Sequence, residues 1–165
     1  TQAELMAKGL LCSKEVAKEK LRKIVYEGLK KYFKRIKCYD NVPETFEKFK
    51  NAGFKLALLS DFPPEQKGEV WGVKKYCDVV LGTEQLGALK PDPYSFLEMA
   101  KMLNVEPSKI LYVGNSKKYD VVGSHNAGMK CAYLVPFRKR LFKKFIKEPE
   151  ICFSNYRQLQ DIVLQ

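Results

Sequence analysis

Apolar side chains in residues 14–36 fall at Leu21, Ile24, Val25, Leu29, Tyr32, Phe33 and Ile36. That spacing predicts one amphipathic helix with a 3.6-residue stripe. Ser13 stands where such a helix takes its N-cap. A shorter helix is expected near Ala3–Leu10, closed by Gly9 or just after it. From residue 41 the pattern changes. In VPETFEKFKNAG, Pro43 suits the first turn of a helix and Gly53 its end. Phe54–Leu59 (FKLALL) is then an apolar run of strand length, broken by Lys55 and stopping at Ser60-Asp61. The pattern continues with a helix over Glu65–Val70, a strand over Asp78–Leu81, a helix over Pro93–Leu103 and a strand over Ile110–Val113. A helix over Asp120–Ala127, a strand over Lys130–Leu134, a weak strand at Ile151–Phe153 and a helix over Tyr156–Leu164 complete it.

Strands alternating with helices predict parallel βαβ units with right-handed crossovers. Short, continuously apolar strands fit a sheet covered on both faces. The expected fold is therefore α/β, a Rossmann-like doubly wound parallel sheet preceded by two helices. The division falls near residue 40, with a helical segment over 1–40 and the α/β core over 41–165.

Composition narrows the function. With 45% hydrophobic residues in 165, the chain can bury an ordinary core. It has no apolar run of the roughly 18 residues that a membrane-spanning helix needs. Five dispersed cysteines (Cys12, Cys38, Cys77, Cys131, Cys152) form no C-x-x-C pair and read as reduced thiols of a cytoplasmic protein. The formal net charge of +11 invites a nucleic-acid reading, but the excess sits in residues 1–41 and 135–150, and the middle of the chain is almost neutral. No zinc-finger, RRM or helix-turn-helix pattern accompanies it, which argues against a nucleic-acid partner. The segment Phe137–Lys147 (FRKRLFKKFIK) sets Phe137, Leu141, Phe142 and Phe145 among six cations. It reads as a short helix docked at the sheet edge with its lysines outward, rather than as a surface for anionic membranes or RNA.

The chemistry-bearing residues lie where strands end. Ser60 closes the first strand, Lys90 opens KPDPYSF, and Gly114-Asn115-Ser116 closes the third strand, with Asp120 one helical turn on. In a parallel sheet all strand carboxyl ends emerge at one edge, so Ser60 and Asn115 are expected to share a rim. A hydroxyl, an ammonium and a metal-binding loop make a site for phosphoryl transfer: cations offset charge on the equatorial oxygens and the hydroxyl positions one of them. Singly, each residue also has a plain role. Ser60 can cap a turn, Lys90 can lie on the surface and Asp120 can be an N-cap. His125, the only histidine, has no second histidine to work with and reads as structural or exposed.

In their order and spacing, YDNVPETFEKFKNAGFKLALLSD, YCDVVLGTEQLGALKPDPYSF and ILYVGNSKKYDVVGSHNAGM resemble the haloacid dehalogenase superfamily of mostly Mg²⁺-dependent phosphatases, from about Tyr39 to Leu134. The resemblance implies that Ser60 hydrogen-bonds the phosphoryl group and that Lys90 stabilises both nucleophile and phosphoryl group. It implies that Asn115 and Asp120 occupy the Mg²⁺-binding positions, and Asp61 beside Ser60 is grouped with the phosphate-binding set. It also implies that residues 1–40 are the trailing helices of an inserted helical cap, and that the parent hydrolyses a small phosphorylated substrate through an aspartyl-phosphate.

Two departures qualify this. The family's nucleophile lies in D-x-D-x-T/V at the end of a central first strand, and no D-x-D occurs in this chain. The strand is then expected upstream of Thr1 or on a separate N-terminal fragment, and residues 41–165 form a core lacking it. The chain as given is expected to have no turnover of its own. Second, Asn115 stands where the family has Asp. An amide oxygen can ligate Mg²⁺ but brings no charge. Two readings follow: magnesium held with less protein charge, or a non-catalytic binding or regulatory protein on the same scaffold.

Overall fold

The computed structural model describes residues 2–33, 35–62, 64, 69, 71–136 and 148–165. Apart from Glu69, the helix expected over 65–70 lies outside them, as does the basic segment 137–147.

Helix α1 (Gln2–Leu10) packs against α2 (Lys14–Lys20), which starts where Ser13 accepts a hydrogen bond from the Val16 N–H. The long amphipathic helix expected over 14–36 is interrupted. Leu21–Glu27 winds as a π-helix, with the Gly28 N–H donating to the Lys23 carbonyl five residues back at 3.0 Å, and α3 (Lys30–Phe33) is a single turn. A Cβ at position 28 would stand 2.3 Å from the Ile24 carbonyl oxygen, so the backbone where this turn ends needs glycine. The wider turn carries the stripe off register. Leu21 is buried, but Ile24 is 65% and Tyr32 62% exposed.

Helix α4 (Val42–Asn51) begins after Asn41 in the left-handed region and has Pro43 in its first turn. Strand β1 (Ala57–Ser60) pairs in parallel with β2 (Val79–Gly82), Ala57 opposite Val79 and Ser60 opposite Gly82. Helix α5 (Pro93–Leu103) is capped by Asp92, whose carboxylate accepts from the Tyr94 N–H at 2.9 Å. Strand β3 (Leu111–Gly114) leads through a π-helical turn, Lys117–Val121, into α6 (Val122–Asn126). Strands β4 (Lys130–Leu134) and β5 (Ile151–Phe153) extend β3 into a parallel three-stranded sheet, and α7 (Tyr156–Val163) ends the core.

Among the described residues the strands thus form two parallel sheets, β1-β2 and β3-β4-β5, rather than one. They share a roof. Phe96, Met99, Ala100 and Leu103 of α5 pack with Ala57 and Leu59 of β1, Val79 and Leu81 of β2, and Tyr112 of β3. On the opposite face, Phe49 of α4 and Leu159 of α7 meet Leu111, Ala132, Leu134 and Phe153. Helices cover both faces, as in a doubly wound Rossmann-like α/β fold. No helix among the described residues is long and apolar enough to cross a membrane. All five cysteines are free thiols.

Candidate active site

The site is built at the carboxyl ends of β1 and β3. Ser60, the last residue of β1, is 7% exposed, and its hydroxyl oxygen accepts a hydrogen bond from the Phe62 N–H at 3.2 Å. Asp61 turns its carboxylate inward. One oxygen accepts from the buried Thr83 hydroxyl at 2.7 Å and from the Lys90 backbone N–H at 3.2 Å. Thr83 directly follows β2, so Asp61 ties the ends of both strands to the lysine-bearing loop.

The Lys90 ammonium crosses toward β3 and donates to Asp120 at 2.8 Å and to the Tyr112 hydroxyl at 3.3 Å. Lys90 and Asp120 are nearly inaccessible, with side chains 12% and 7% exposed. In a pair so placed, each charge offsets part of the solvation that the other has lost. The same Asp120 oxygen accepts from Tyr112 at 3.3 Å. The other accepts from the backbone N–H groups of Asn115 at 3.0 Å and Ser116 at 2.9 Å. Gly114 makes this possible: a Cβ there would lie 2.4 Å from the Asp120 Cβ.

The structure therefore brings Lys90 and Asp120 into direct contact, joins Asp61 to Lys90 through the backbone and joins Asn115 to Asp120 through its N–H. Ser60 reaches the group only through its neighbour Asp61. The Asn115 side chain points to the outer rim, its amide N–H donating to the Tyr39 hydroxyl at 3.3 Å. Among the described residues no group of three or more His, Cys, Asp or Glu gathers to hold a metal. His125 lies away from the rim and pairs with Glu150 at 3.1 Å.

Sequence reasoning missed three contributors. Tyr112 sits inside the apolar strand ILYVG, where its ring packs on Phe96 with centroids 4.9 Å apart. A buried tyrosine needs a partner for its hydroxyl, and that rule could have flagged it. Burial, then the Asp120 carboxylate, push its pKa well above the ordinary tyrosine value, so it stays a donor. Thr83, just past β2, is fully buried, and only its contact with Asp61 reveals its part. Tyr39, in a linker, stacks on Tyr156 at 6.1 Å. It helps to line a cavity of about 460 Å³ with Asn115, Leu134 and Asn155. The helical segment also reaches the rim: Gln2 donates to the Asp61 carbonyl at 2.7 Å, and Tyr26 hydrogen-bonds Glu84.

These features define a parallel α/β protein with polar and charged side chains converging where its strands end. Residues 4–134 match the family described as Haloacid dehalogenase-like hydrolase, and the chain belongs to that family. It is 30% identical over 139 residues to a phosphoglycolate phosphatase of Haemophilus influenzae, covering 77% of this chain and 58% of that protein. It is 31% identical over 126 residues to a phosphoglycolate phosphatase of Aquifex aeolicus, covering 72% and 59%. The chain thus spans somewhat over half the length of these curated relatives. Among solved structures, a HAD phosphatase from Thermococcus onnurineus superposes with a TM-score of 0.73 at 24% identity, covering 98% of this chain and 86% of the other. A 2-haloacid dehalogenase from Pseudomonas syringae also gives 0.73, at 21% identity, covering 99% and 70%. Both share the fold.

Proposed function

We propose that this chain supplies the phosphoryl- and metal-binding part of a phosphatase for small phosphate monoesters, and that the attacking aspartate comes from outside residues 1–165, either upstream in a longer parent or on a separate fragment. The observation that carries the reading is the buried Lys90–Asp120 pair at the end of β3, beside the Asn115 and Ser116 N–H groups. The names of the relatives support a small phosphorylated substrate: two are phosphoglycolate phosphatases, and a third, 33% identical over 100 residues, is a glyceraldehyde 3-phosphate phosphatase of Methanopyrus kandleri.

In this reading Lys90 offsets negative charge on the transferring group, and the Ser60 hydroxyl positions one of its oxygens. Asp61 positions Lys90 through its backbone; as a carboxylate it does not itself attract phosphate. The donors at the rim fit Mg²⁺ in kind. Asp120 offers anionic oxygen held in place by two N–H groups, and Asn115 offers a neutral amide oxygen once its side chain turns inward. Magnesium keeps several waters and takes few protein ligands, so two from this chain are compatible with it. When bound, Mg²⁺ would neutralise charge on the phosphoryl oxygens. Residues 1–40 belong to a helical cap that selects the substrate, and the Tyr26–Glu84 and Gln2–Asp61 contacts seat it on the core.

One observation favours a second reading. The neutral Asn115 lowers the charge available to a cation, as expected of a scaffold that binds a phosphorylated ligand without turning it over. A phosphatase assay of a longer parent that includes a D-x-D strand, run with a generic aryl phosphate, decides between them. Turnover that requires Mg²⁺ and is lost in Lys90→Ala supports the phosphatase. Ligand binding with no turnover supports the alternative. In the same parent, Asn115→Asp is expected to tighten Mg²⁺ binding measured by titration calorimetry; unchanged affinity removes Asn115 from the ligand set.

A further inference from the structure

Tyr112 stands in the middle of β3, opposite Cys131 of β4, and is buried. Its ring packs on Phe96 of α5 with centroids 4.9 Å apart. A Cβ on Gly123 would lie 2.6 Å from that Phe96 ring, so a bare backbone there lets α6 close on it. A ring held this way, on a strand, has a fixed place for its hydroxyl. That hydroxyl stands 3.3 Å from the Lys90 ammonium and 3.3 Å from the Asp120 carboxylate, and these two are 2.8 Å apart. The three groups close a triangle whose hydrogen bonds have a single sense. An ammonium only donates, and an ionised carboxylate only accepts. The Tyr112 oxygen therefore accepts from Lys90 and gives its own proton to Asp120. Two of the three ammonium N–H bonds are then used, and among the described residues nothing accepts the third. The Lys90 side chain is nevertheless nearly inaccessible.

We infer that Tyr112 is the positioning residue for Lys90: its hydroxyl fixes the rotation of the ammonium and so sets the direction of the one N–H left for a phosphoryl oxygen. The inference rests on the reading that Lys90 faces the transferring group, and it adds a residue that itself touches no substrate. The reason is geometric. A lysine ends in a rotor on a flexible stem, a point charge with three donors and no rigid fork. A single acceptor, Asp120, holds the ammonium in place but leaves it free to turn about that one bond. A second acceptor at a different angle stops the turning. The tetrahedral nitrogen then points its third N–H away from both partners. Tyr112 lies in β3 and Asp120 in the turn that follows it, so this N–H is directed away from that strand. A donor oriented before the reaction costs no reorganisation during it, which is what makes a charged group effective at a transition state. Phenylalanine in this place would pack the same way and aim nothing.

The test is Tyr112→Phe, which keeps the ring and removes the hydroxyl, in the whole chain with isotope-labelled lysine nitrogens. In the unsubstituted chain the Lys90 ammonium is expected to give a resolved NMR signal near neutral pH. Its protons should exchange with water about tenfold more slowly than those of the exposed Lys18. It should show a scalar coupling to the Asp120 carboxylate and a through-space contact with the Tyr112 hydroxyl. In Tyr112→Phe the coupling to Asp120 stays, while the ammonium rotates more freely and its protons exchange about tenfold faster, the worth of one hydrogen bond to a charged group. These readouts follow a single nitrogen, and a merely structural tyrosine would not move them alone. Unchanged rotation and exchange in the variant mean that Asp120 orients the ammonium by itself, and overturn the inference. Loss of the Asp120 coupling together with shifts throughout the backbone spectrum makes Tyr112 a support of the fold, and overturns it too. If the variant does not fold, the contact between the Tyr112 hydroxyl and Lys90 in the unsubstituted chain decides: its presence supports the inference and its absence overturns it. In the longer parent, Tyr112→Phe is expected to lower kcat about tenfold with KM little changed; an unchanged kcat overturns the inference. A parent with no turnover counts against the phosphatase reading alone, and the orientation of Lys90 is then decided by the measurement on this chain.

Discussion

Strands β3 and β4 are neighbours in one sheet and have similar apolar sequences, LYVG and CAYL, yet they are buried very differently. In β4, Cys131, Ala132, Tyr133 and Leu134 are all inaccessible. In β3 only Tyr112 is, and Val113 faces solvent. The difference is one edge. Among the described residues, strand β4 pairs with β3 on one side and β5 on the other, whereas β3 pairs with β4 alone. Between these two strands the second neighbour goes with the greater burial, although β2, with one partner among the described residues, is also largely buried under α5. Strand β1 resembles β3, its residues before Ser60 being only half-buried beside their single partner among the described residues.

The sharpest break of this comparison is a pair of truncations. Tyr133→Ala in β4 should destabilise the chain by about 3–5 kcal/mol, as large-to-small changes of aromatic core residues do. Val113→Ala in β3 should cost less than about 1 kcal/mol, because that side chain is already wet. Urea denaturation of both variants measures the gap, and equal losses would mean that β3 is as enclosed as β4. Next comes the Lys90–Asp120 pair, which stands at the end of the less enclosed strand. Lys90→Met alone should cost about 3 kcal/mol by stranding a buried carboxylate. Adding Asp120→Asn should recover part of that loss, and a double-mutant cycle in thermal unfolding reads the coupling. A cycle without coupling would show the pair to be open to water.

The smallest effect concerns pH. Burial, and then the nearby Tyr39, push Tyr156 up to about 12. The folded chain therefore holds this proton more tightly than the unfolded chain, whose tyrosines titrate near 10. Stability from Tyr156 is complete below about pH 10 and is lost as pH rises toward 12. By pH 11 the loss should be about 1 kcal/mol, and Tyr156→Phe should remove that part of the alkaline slope in a denaturation series.

Much of the element order was legible from periodicity and punctuation. Pro43, Asp92-Pro93 and the Ser60-Asp61 stop mark boundaries that the structure keeps to within a few residues. Strand pairing was not legible. Continuously apolar runs say that both faces are covered but carry no information about edges, so nothing in FKLALL or ILYVG distinguishes a strand with one neighbour from a strand with two. The helical segment failed differently: a stripe at Leu21, Ile24 and Tyr32 presumes a constant turn, and the π-helical stretch before Gly28 breaks that premise. At the rim, Lys90, Asn115 and Asp120 stood out through their order and spacing relative to the strand that ends at Ser60. Tyr112 did not, because inside an apolar strand a hydroxyl looks like packing; Thr83 did not, because a polar residue just past a strand is ordinary punctuation.

Lys90 is tied twice, by its amide to Asp61 and by its ammonium to Asp120. A residue fastened at both ends cannot follow one half of the molecule without letting go of the other. The spacing of the β1 and β3 ends is thus spanned by the length of a single lysine, from its amide to its ammonium.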